Sequence, residues 1–93
     1  MFTIDRKMLQ GSWLDYGMFL QSIMVAARGR GLDTCPQQAF AHFHKLIGEF
    51  LNLPAGDMVV CGMALGYEDP GVLANKLTTE RCPVGEFTTF VDN

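Results

Sequence analysis

The chain has 93 residues, and its seven Lys and Arg residues against ten Asp and Glu residues give a formal net charge of −3. This length fits a single domain, 1–93, because autonomous domains centre near about 100–150 residues. The acidic balance excludes a typical nucleic-acid-binding domain, which carries a clustered basic surface, so we expect no nucleic-acid partner. With 48% apolar and 18% charged residues, the chain is also not intrinsically disordered.

The apolar content is high for so short a chain. One Trp, two Tyr and seven Phe accompany six Met residues, whereas a domain of this size buries only about 60–65% of the surface of its unfolded chain. We therefore expect that the protein oligomerises or forms part of something larger.

The cysteines and the apolar runs indicate the compartment. Cys35, Cys61 and Cys82 lie far apart without a C-x-x-C motif, and no secretory signal pattern opens the chain. We expect free thiols in a reducing cytoplasm. The longest apolar run, 18–27, contains Gln21 and Ser22 and is shorter than the ~20 residues that cross a bilayer, so we expect no membrane-spanning segment.

The first elements are a short strand and a long helix. Residues 2–4 alternate apolar and polar side chains, which predicts the end of a strand that needs a sheet partner. Ser12 and Asp15 have the S-x-x-D spacing of a capping box, which predicts a helix that starts there and runs to Arg30, with Gly31 as its stop.

This first helix is apolar on almost every side. One stripe at helical spacing is extended by further apolar residues around the helix, which include Leu14, Met18, Phe19, Val25 and Ala26. Such a helix is buried on nearly all faces. Two interpretations fit, a helix at the core of a dimer and a central helix in an ordinary small core, and the first is favoured because so short a chain has little else to surround the helix. The two methionines of the helix, Met18 and Met24, are typical of gap-filling core residues.

The second half of the sequence, from Pro36 onward, predicts one more helix and two extended segments. Pro36 suits the first turn of a helix, which Asn52 ends. The continuous apolar run Met58 to Leu65 predicts a buried strand, and residues 66–76 are predicted to form a loop. The segment Val84 to Val91 predicts a terminal strand or extended arm. This order predicts an α+β fold with two main helices packed on a small antiparallel sheet.

Side chains that carry chemistry are few. His42 and His44 point to different sides of a helix and cannot share a metal ion, so we expect solvated histidines. No ligand spacing makes the cysteines a metal site. Cys61 lies in the apolar run and is predicted to be a buried thiol. Cys35 could form a nucleophilic pair with a histidine, but the sequence offers no third group to orient that pair. No catalytic acid, base or nucleophile is assigned.

A main-chain site is the remaining candidate. The segment 34–40 enters the predicted second helix, whose first N–H groups are free to bind an anion. The small side chain of Ala39 would let a planar ligand approach the backbone, and Lys76 or Arg81 would complete the site.

Several segments at consistent spacing resemble the second half of the FMN-dependent nitroreductase family. They are 12–21 (SWLDYGMFLQ), 26–36 (AARGRGLDTCP), 59–67 (VVCGMALGY), Asp69-Pro70, Asn75 and Thr79-Glu80-Arg81. The resemblance covers Phe2 to Asp92. It implies a partial nitroreductase-like fold in an intertwined homodimer, with FMN at the subunit interface and 84–91 extending onto the partner subunit.

The resemblance also implies the cofactor-binding residues. Pro36, Gln37, Gln38 and Ala39 would lie beside the isoalloxazine ring and contact it through main-chain amides, and Arg81 would help hold the FMN phosphate. Many relatives have Glu-Gly where this chain has Gln38-Ala39, and some have a basic residue at Thr79. A main-chain contact survives the first change, whereas a carboxylate-dependent one does not.

The implied activity is electron transfer from NAD(P)H through FMN to a nitroaromatic or quinone-type acceptor. The family's N-terminal half, with its arginine-rich phosphate-binding segment, has no match here, so we expect a chain that is inactive alone and needs a complementing N-terminal half. The alternative is a non-catalytic dimerising module derived from the same fold.

Overall fold

A three-stranded antiparallel sheet organises the protein, whose computed structural model describes residues 1–92. In chain order the strands are β1 (Phe2–Asp5), β2 (Asp33–Gln37) and β3 (Asp57–Gly66), and the main helices are α1 (Gln10–Arg28) and α2 (His44–Phe50). Shorter helical pieces are two 3₁₀ helices, Gln38–Phe43 and Leu73–Lys76, and the one-turn α3, Val84–Phe87. This α+β arrangement of helices on a small antiparallel sheet confirms the predicted fold class.

The longest strand, β3, lies between the other two and pairs with each along a different half. Thr3 of β1 lies opposite Val59, with a register shift between Phe2 and Thr3. Gln37 of β2 lies opposite Gly62. The predicted strand 58–65 and the predicted strand end at 2–4 are therefore confirmed, and each edge strand covers only half of β3.

The start of α1 differs from the prediction. The helix begins at Gln10, Leu9 is its N-cap without a side-chain cap, and Ser12 donates instead to the Met8 sulfur at 3.5 Å. The capping box is therefore wrong. The turn after β1, in which the Asp5 carbonyl oxygen accepts the Met8 N–H at 3.0 Å, directs the chain into the helix three residues earlier, so Ser12 lies inside the first turn.

The predicted stop of α1 at Gly31 is confirmed, although the last helical residue is Arg28. Gly31 has a φ of 72°, which glycine adopts without a Cβ clash. The Leu32 N–H reaches the Ala27 carbonyl at 3.0 Å and the Gly31 N–H reaches the Arg28 carbonyl at 3.0 Å. These two bonds form a Schellman motif that terminates the helix.

The helix predicted from Pro36 is wrong at its start. Pro36 lies in β2, opposite Met63. Proline disfavours helical backbone at the residue before it and is tolerated in an edge strand, so Cys35 and Pro36 are extended. The helical pattern begins only at Gln38, first as a 3₁₀ helix and then as α2. The predicted end at Asn52 is confirmed by its φ of 51°.

The C-terminal arm contains one turn of helix. Its first residues form α3, and the backbone is extended again at Thr88, with φ −125° and ψ 133°. Within the described residues 88–92 no strand is formed, so the terminal strand is wrong and the extended arm is present. Its large apolar side chains are exposed: Val84, Phe87, Phe90 and Val91.

The core of the chain is small. Among the described residues 1–92, only Ile4, Ala27, Val59 and Cys61 are buried hydrophobic residues, and Ala27 is the only one of them in α1. The accessible surface is 7858 Å², against about 5,400 Å² for a compact protein of this mass. The radius of gyration is 17.2 Å, against about 12 Å. The interpretation of α1 as the central helix of an ordinary small core is therefore wrong, because most of that helix is exposed in the single chain.

Among the described residues, no helix is long and apolar enough to cross a membrane.

Candidate functional site

The candidate main-chain segment, Pro36 to Ala39, lies where β2 passes into a 3₁₀ helix. All four residues are exposed. Pro36 and Gln37 still pair with β3, opposite Met63 and Gly62, and Gln38 begins the 3₁₀ helix. The first N–H groups of a helix have no partner within it, so the backbone at Gln38 and Ala39 is open to a ligand.

This geometry contradicts the predicted anion site at the N-terminus of a helix. The segment enters a 3₁₀ helix of six residues, and α2 has only seven residues. Helices this short carry little aligned dipole at their ends. The segment therefore presents an edge strand and single main-chain N–H groups to a ligand.

An aromatic ring anchors the far end of this segment on the sheet. The Phe40 ring lies over Gly62, and a Cβ atom built on Gly62 would be 2.7 Å from the ring's Cδ2 and 2.9 Å from its Cε2. Real Cβ contacts are not this short, so the ring sits in space that only glycine leaves free. Sequence reasoning missed Gly62, although an isolated glycine inside a strand is a signal of a close approach.

Arg81 lies outside the regular elements, after the 3₁₀ helix Leu73–Lys76. Its guanidinium donates to the carbonyl oxygens of Thr79 and Glu80, each at 3.2 Å, and to the Thr79 hydroxyl. Arg81 and Lys76 are both exposed. These three bonds hold the Arg81 guanidinium against its chain neighbours Thr79 and Glu80.

The histidines and cysteines lie apart from one another. His42 and His44 are exposed, as predicted, and the His44 Nδ1 is 3.1 Å from the Ala41 carbonyl oxygen. Cys61 is a buried thiol, as predicted, whereas Cys35 and Cys82 are exposed thiols. Cys35 lies in β2, opposite Ala64, and not at the start of a helix, where a thiolate would be stabilised. Within residues 1–92, no cluster of three His, Cys, Asp or Glu residues has a metal-binding arrangement.

Asp33, at the start of β2, organises the end of the strand that lies away from the candidate segment, since Asp33 lies opposite Gly66 and Gln37 opposite Gly62. Its Oδ1 pairs with the Arg28 guanidinium, and its Oδ2 accepts the Glu68 N–H at 3.1 Å. Glu68 and Asp69 line a groove of about 420 Å³ together with Cys35. These acidic residues do not suit a phosphate, so a phosphate-binding charge has to come from elsewhere.

The described residues fit one edge of a flavin rather than a whole flavin site. Pro36 to Ala39 provides an exposed backbone whose N–H groups are open at Gln38 and Ala39, which suits a main-chain contact to a planar ring. Arg81 provides a positive charge, but its guanidinium is exposed rather than enclosed. A ligand held by these residues would need its other face covered by additional polypeptide.

Comparison with known proteins places the chain in a family. Residues 3–67 match the model of the nitroreductase family. The 4-nitrobenzoate reductase of Pseudomonas putida is 50% identical over 90 residues, which cover 97% of this chain and 40% of that protein. The chloronitrobenzene nitroreductase of Comamonas testosteroni is 49% identical over 90 residues, with the same coverage of 97% and 40%.

A solved structure is similar as well. The FMN and NADPH-dependent nitroreductase NfnB from Sphigopyxis sp. strain HMH superposes with a TM-score of 0.91 at 27% identity, over 98% of this chain and 41% of that chain. This chain therefore spans about two fifths of the length of the proteins it matches. The sequence match and the shared fold agree: the chain belongs to the nitroreductase family.

Proposed function

We propose that this chain forms, as a single domain, the C-terminal part of an FMN-dependent enzyme that reduces nitroaromatic compounds with NAD(P)H. The observation that carries the proposal is the 50% identity to a 4-nitrobenzoate reductase over 97% of the chain. A second supporting observation is the fold shared with an FMN and NADPH-dependent nitroreductase. Quinone-type acceptors fit the same chemistry.

The proposed role of the chain is to hold one edge of the cofactor. The N–H groups of Gln38 and Ala39 would donate to the isoalloxazine ring, with Pro36 and Gln37 beside it, and Arg81 would contact the FMN phosphate. When bound, FMN would supply the redox chemistry between NAD(P)H and the nitro group. Because the cofactor carries the chemistry, the residues of this chain act through position and charge rather than as acids or bases.

The exposed apolar surface supports an assembly with further polypeptide. The chain exposes about 2,500 Å² more surface than a compact protein of its mass, from the 7858 Å² measured and the size relation. Stable permanent interfaces bury about 1,000–2,500 Å² on each partner. We infer that α1 and the C-terminal arm are covered by a second copy of the chain and by polypeptide that corresponds to the rest of the relatives.

We also infer a cytoplasmic location, because three free cysteines in a short chain suit a reducing compartment.

The test is to purify the full chain alone and together with the part of the Pseudomonas putida relative that it does not match. We expect the complex to carry visible flavin absorbance and to oxidise NAD(P)H when 4-nitrobenzoate is added. The variant Arg81→Gln should weaken FMN binding by about tenfold or more, since a charged hydrogen bond contributes about 1.5–3 kcal/mol. The matched control is Arg30→Gln, an exposed arginine in the turn after α1, which should leave FMN binding unchanged.

The alternative, a non-catalytic dimerising module, predicts a different result from the same purification. A colourless dimer that neither binds FMN alone nor with the complementing polypeptide would support the module and overturn the flavoenzyme proposal.

A further inference from the structure

The contact between Phe40 and Gly62 joins the candidate segment to the centre of the sheet. Gly62 is a buried residue of the middle strand β3. The ring of Phe40 approaches it so closely that a Cβ atom on Gly62 would be 2.7 Å from Cδ2, 2.9 Å from Cε2 and 3.3 Å from Cγ. The Cγ atom is the first atom of the ring, so the ring cannot avoid an added methyl group by a small tilt and would have to move as a whole.

The same glycine also fixes the other end of the segment. Gly62 lies opposite Gln37 in the pairing of β2 with β3. The backbone is therefore held at Gln37 by strand pairing and at Phe40 by the ring, and both contacts converge on one residue of β3. Gln38 and Ala39 lie between these two points and are exposed, so their own side chains contribute little to holding them.

We propose that Gly62 and Phe40 are positioning residues, which fix the main chain of Gln38 and Ala39 in the place where it contacts the flavin ring. This inference rests on the proposed function and adds residues that act through the backbone rather than by touching the cofactor. A displacement of the Phe40 ring would move the Ala39 N–H relative to its acceptor. Hydrogen bonds have donor–acceptor distances of about 2.7–3.2 Å and weaken steeply when they bend, so a small displacement is enough to weaken this contact.

The test uses Gly62→Ala in the complex of the full chain with the complementing polypeptide. We expect FMN binding to weaken by about tenfold, which equals 1.4 kcal/mol, and the visible circular dichroism of bound FMN to change. The matched control is Gly66→Ala in the same strand, where an added Cβ meets nothing within 4 Å. This control should bind FMN with wild-type affinity and spectrum.

A second variant distinguishes a positioning role of Gly62 from a general loss of protein stability. Tyr16→Phe removes a hydrogen bond between α1 and β1 and should lower stability without touching the segment. If this variant weakens FMN binding and alters the flavin spectrum as much as Gly62→Ala does, the effect is merely structural and the inference is overturned.

The two residues should also be coupled. In a Phe40→Leu background the added methyl of Gly62→Ala has more space, so its effect on FMN binding should shrink to less than about threefold, a non-additivity typical of residues in contact. Additive effects would contradict the inference. If Gly62→Ala does not fold, Phe40→Leu alone tests the same contact and should weaken FMN binding by about threefold to tenfold.

The outcomes also separate this inference from the proposed function. Wild-type complex that binds no FMN overturns both. Wild-type and Gly62→Ala complexes that bind FMN equally, with the same flavin spectrum, leave the proposed function intact and overturn the positioning role alone.

Discussion

The phenolic hydroxyl of Tyr16 donates a hydrogen bond of 2.9 Å to the main-chain carbonyl oxygen of Thr3. This bond links the first helix to the first strand, next to the buried Ile4. The Tyr16 ring also lies 6.2 Å from the rings of Trp13 and Phe19 between centroids. The half-buried Tyr16 side chain therefore helps to hold α1 against β1.

Removing this hydroxyl should destabilise the chain. Tyr16→Phe keeps the ring contacts and leaves the Thr3 carbonyl without its donor, so we expect the free energy of unfolding to fall by about 1 kcal/mol. Denaturant unfolding measures the change. Tyr67→Phe is the control, because Tyr67 is 82% exposed and should change stability by less than about 0.5 kcal/mol. Equal losses for the two variants would contradict the role of the bond.

The same hydroxyl predicts a dependence on alkaline pH. Partial burial, and next the charge of the nearby Cys61 thiolate, raise the pKa of Tyr16 above its ordinary value of 10.0. Since the folded state holds this proton more tightly than the unfolded state, Tyr16 contributes stability that is complete below about pH 10 and is lost as the pH rises through its folded pKa. The unfolding free-energy difference between wild type and Tyr16→Phe should therefore be constant near neutral pH and shrink above pH 10.

A direct titration checks the direction. In Tyr67→Phe, Tyr16 is the only tyrosine, so tyrosinate absorbance in the near ultraviolet reports it alone. A midpoint at or below the ordinary value of 10.0 would contradict the prediction.

Asp33 should matter more than its ion-pair partner. In the pair of Arg28 with Asp33, the side chains are 72% and 31% exposed, so Arg28→Ala should cost less than about 1 kcal/mol. Asp33→Ala also removes the acceptor of the Glu68 N–H and should cost about 1–2 kcal/mol. Asp33→Asn keeps an acceptor oxygen and should resemble Arg28→Ala. The comparison uses denaturant unfolding of all three variants, and equal costs for Asp33→Ala and Asp33→Asn would assign the stability to the ion pair alone.

Cys82 should react slowly for an exposed thiol. Its Sγ donates to the Glu86 Oε2 at 3.2 Å, and this hydrogen bond, followed by desolvation, raises the pKa of Cys82. The thiolate is the nucleophile, so Glu86→Gln should speed alkylation of Cys82 near neutral pH, with the modified peptide followed by mass spectrometry. Glu80→Gln is the control. An unchanged rate in Glu86→Gln would show that the hydrogen bond does not govern this thiol.

The sequence patterns predicted the elements whose apolar periodicity matches their final position. The long apolar helix and the run at 58–65 formed as expected, because each pattern extends over enough residues to determine one secondary structure. Pro36 was misassigned because two local signals competed. Proline suits a first helical turn, yet the extended backbone it imposes on Cys35 allows pairing with β3, and that non-local pairing decides the outcome.

For the candidate site, too, the sequence indicates the local segment and not the residue that pairs with it across the sheet. The resemblance identified the segment Pro36 to Ala39 from its position in the chain, whereas Gly62 lies more than twenty residues away and meets it only across the sheet. Local spacing contains no information about such a pairing. The absence of a side chain at one position within β3 was the one available signal, and only the position of the Phe40 ring beside Gly62 shows what that glycine makes room for.

The exposed face of α1 yields the last prediction, which concerns assembly. Met18 is 54% exposed and lines a surface groove of about 610 Å³ with Trp13 and Leu14. If a second copy covers this face, Met18→Glu buries an unpaired carboxylate at the interface, which costs several kcal/mol. Sedimentation velocity should then show a dimer for wild type and a monomer for Met18→Glu. Met18→Leu is the matched control, because it keeps an apolar side chain of similar volume at the same position, so its dimer should persist. A wild-type chain that sediments as a monomer, or a Met18→Glu variant that dimerises like wild type, would assign the exposed face to a different polypeptide, and the complementing part of the relatives would be the next occupant to test.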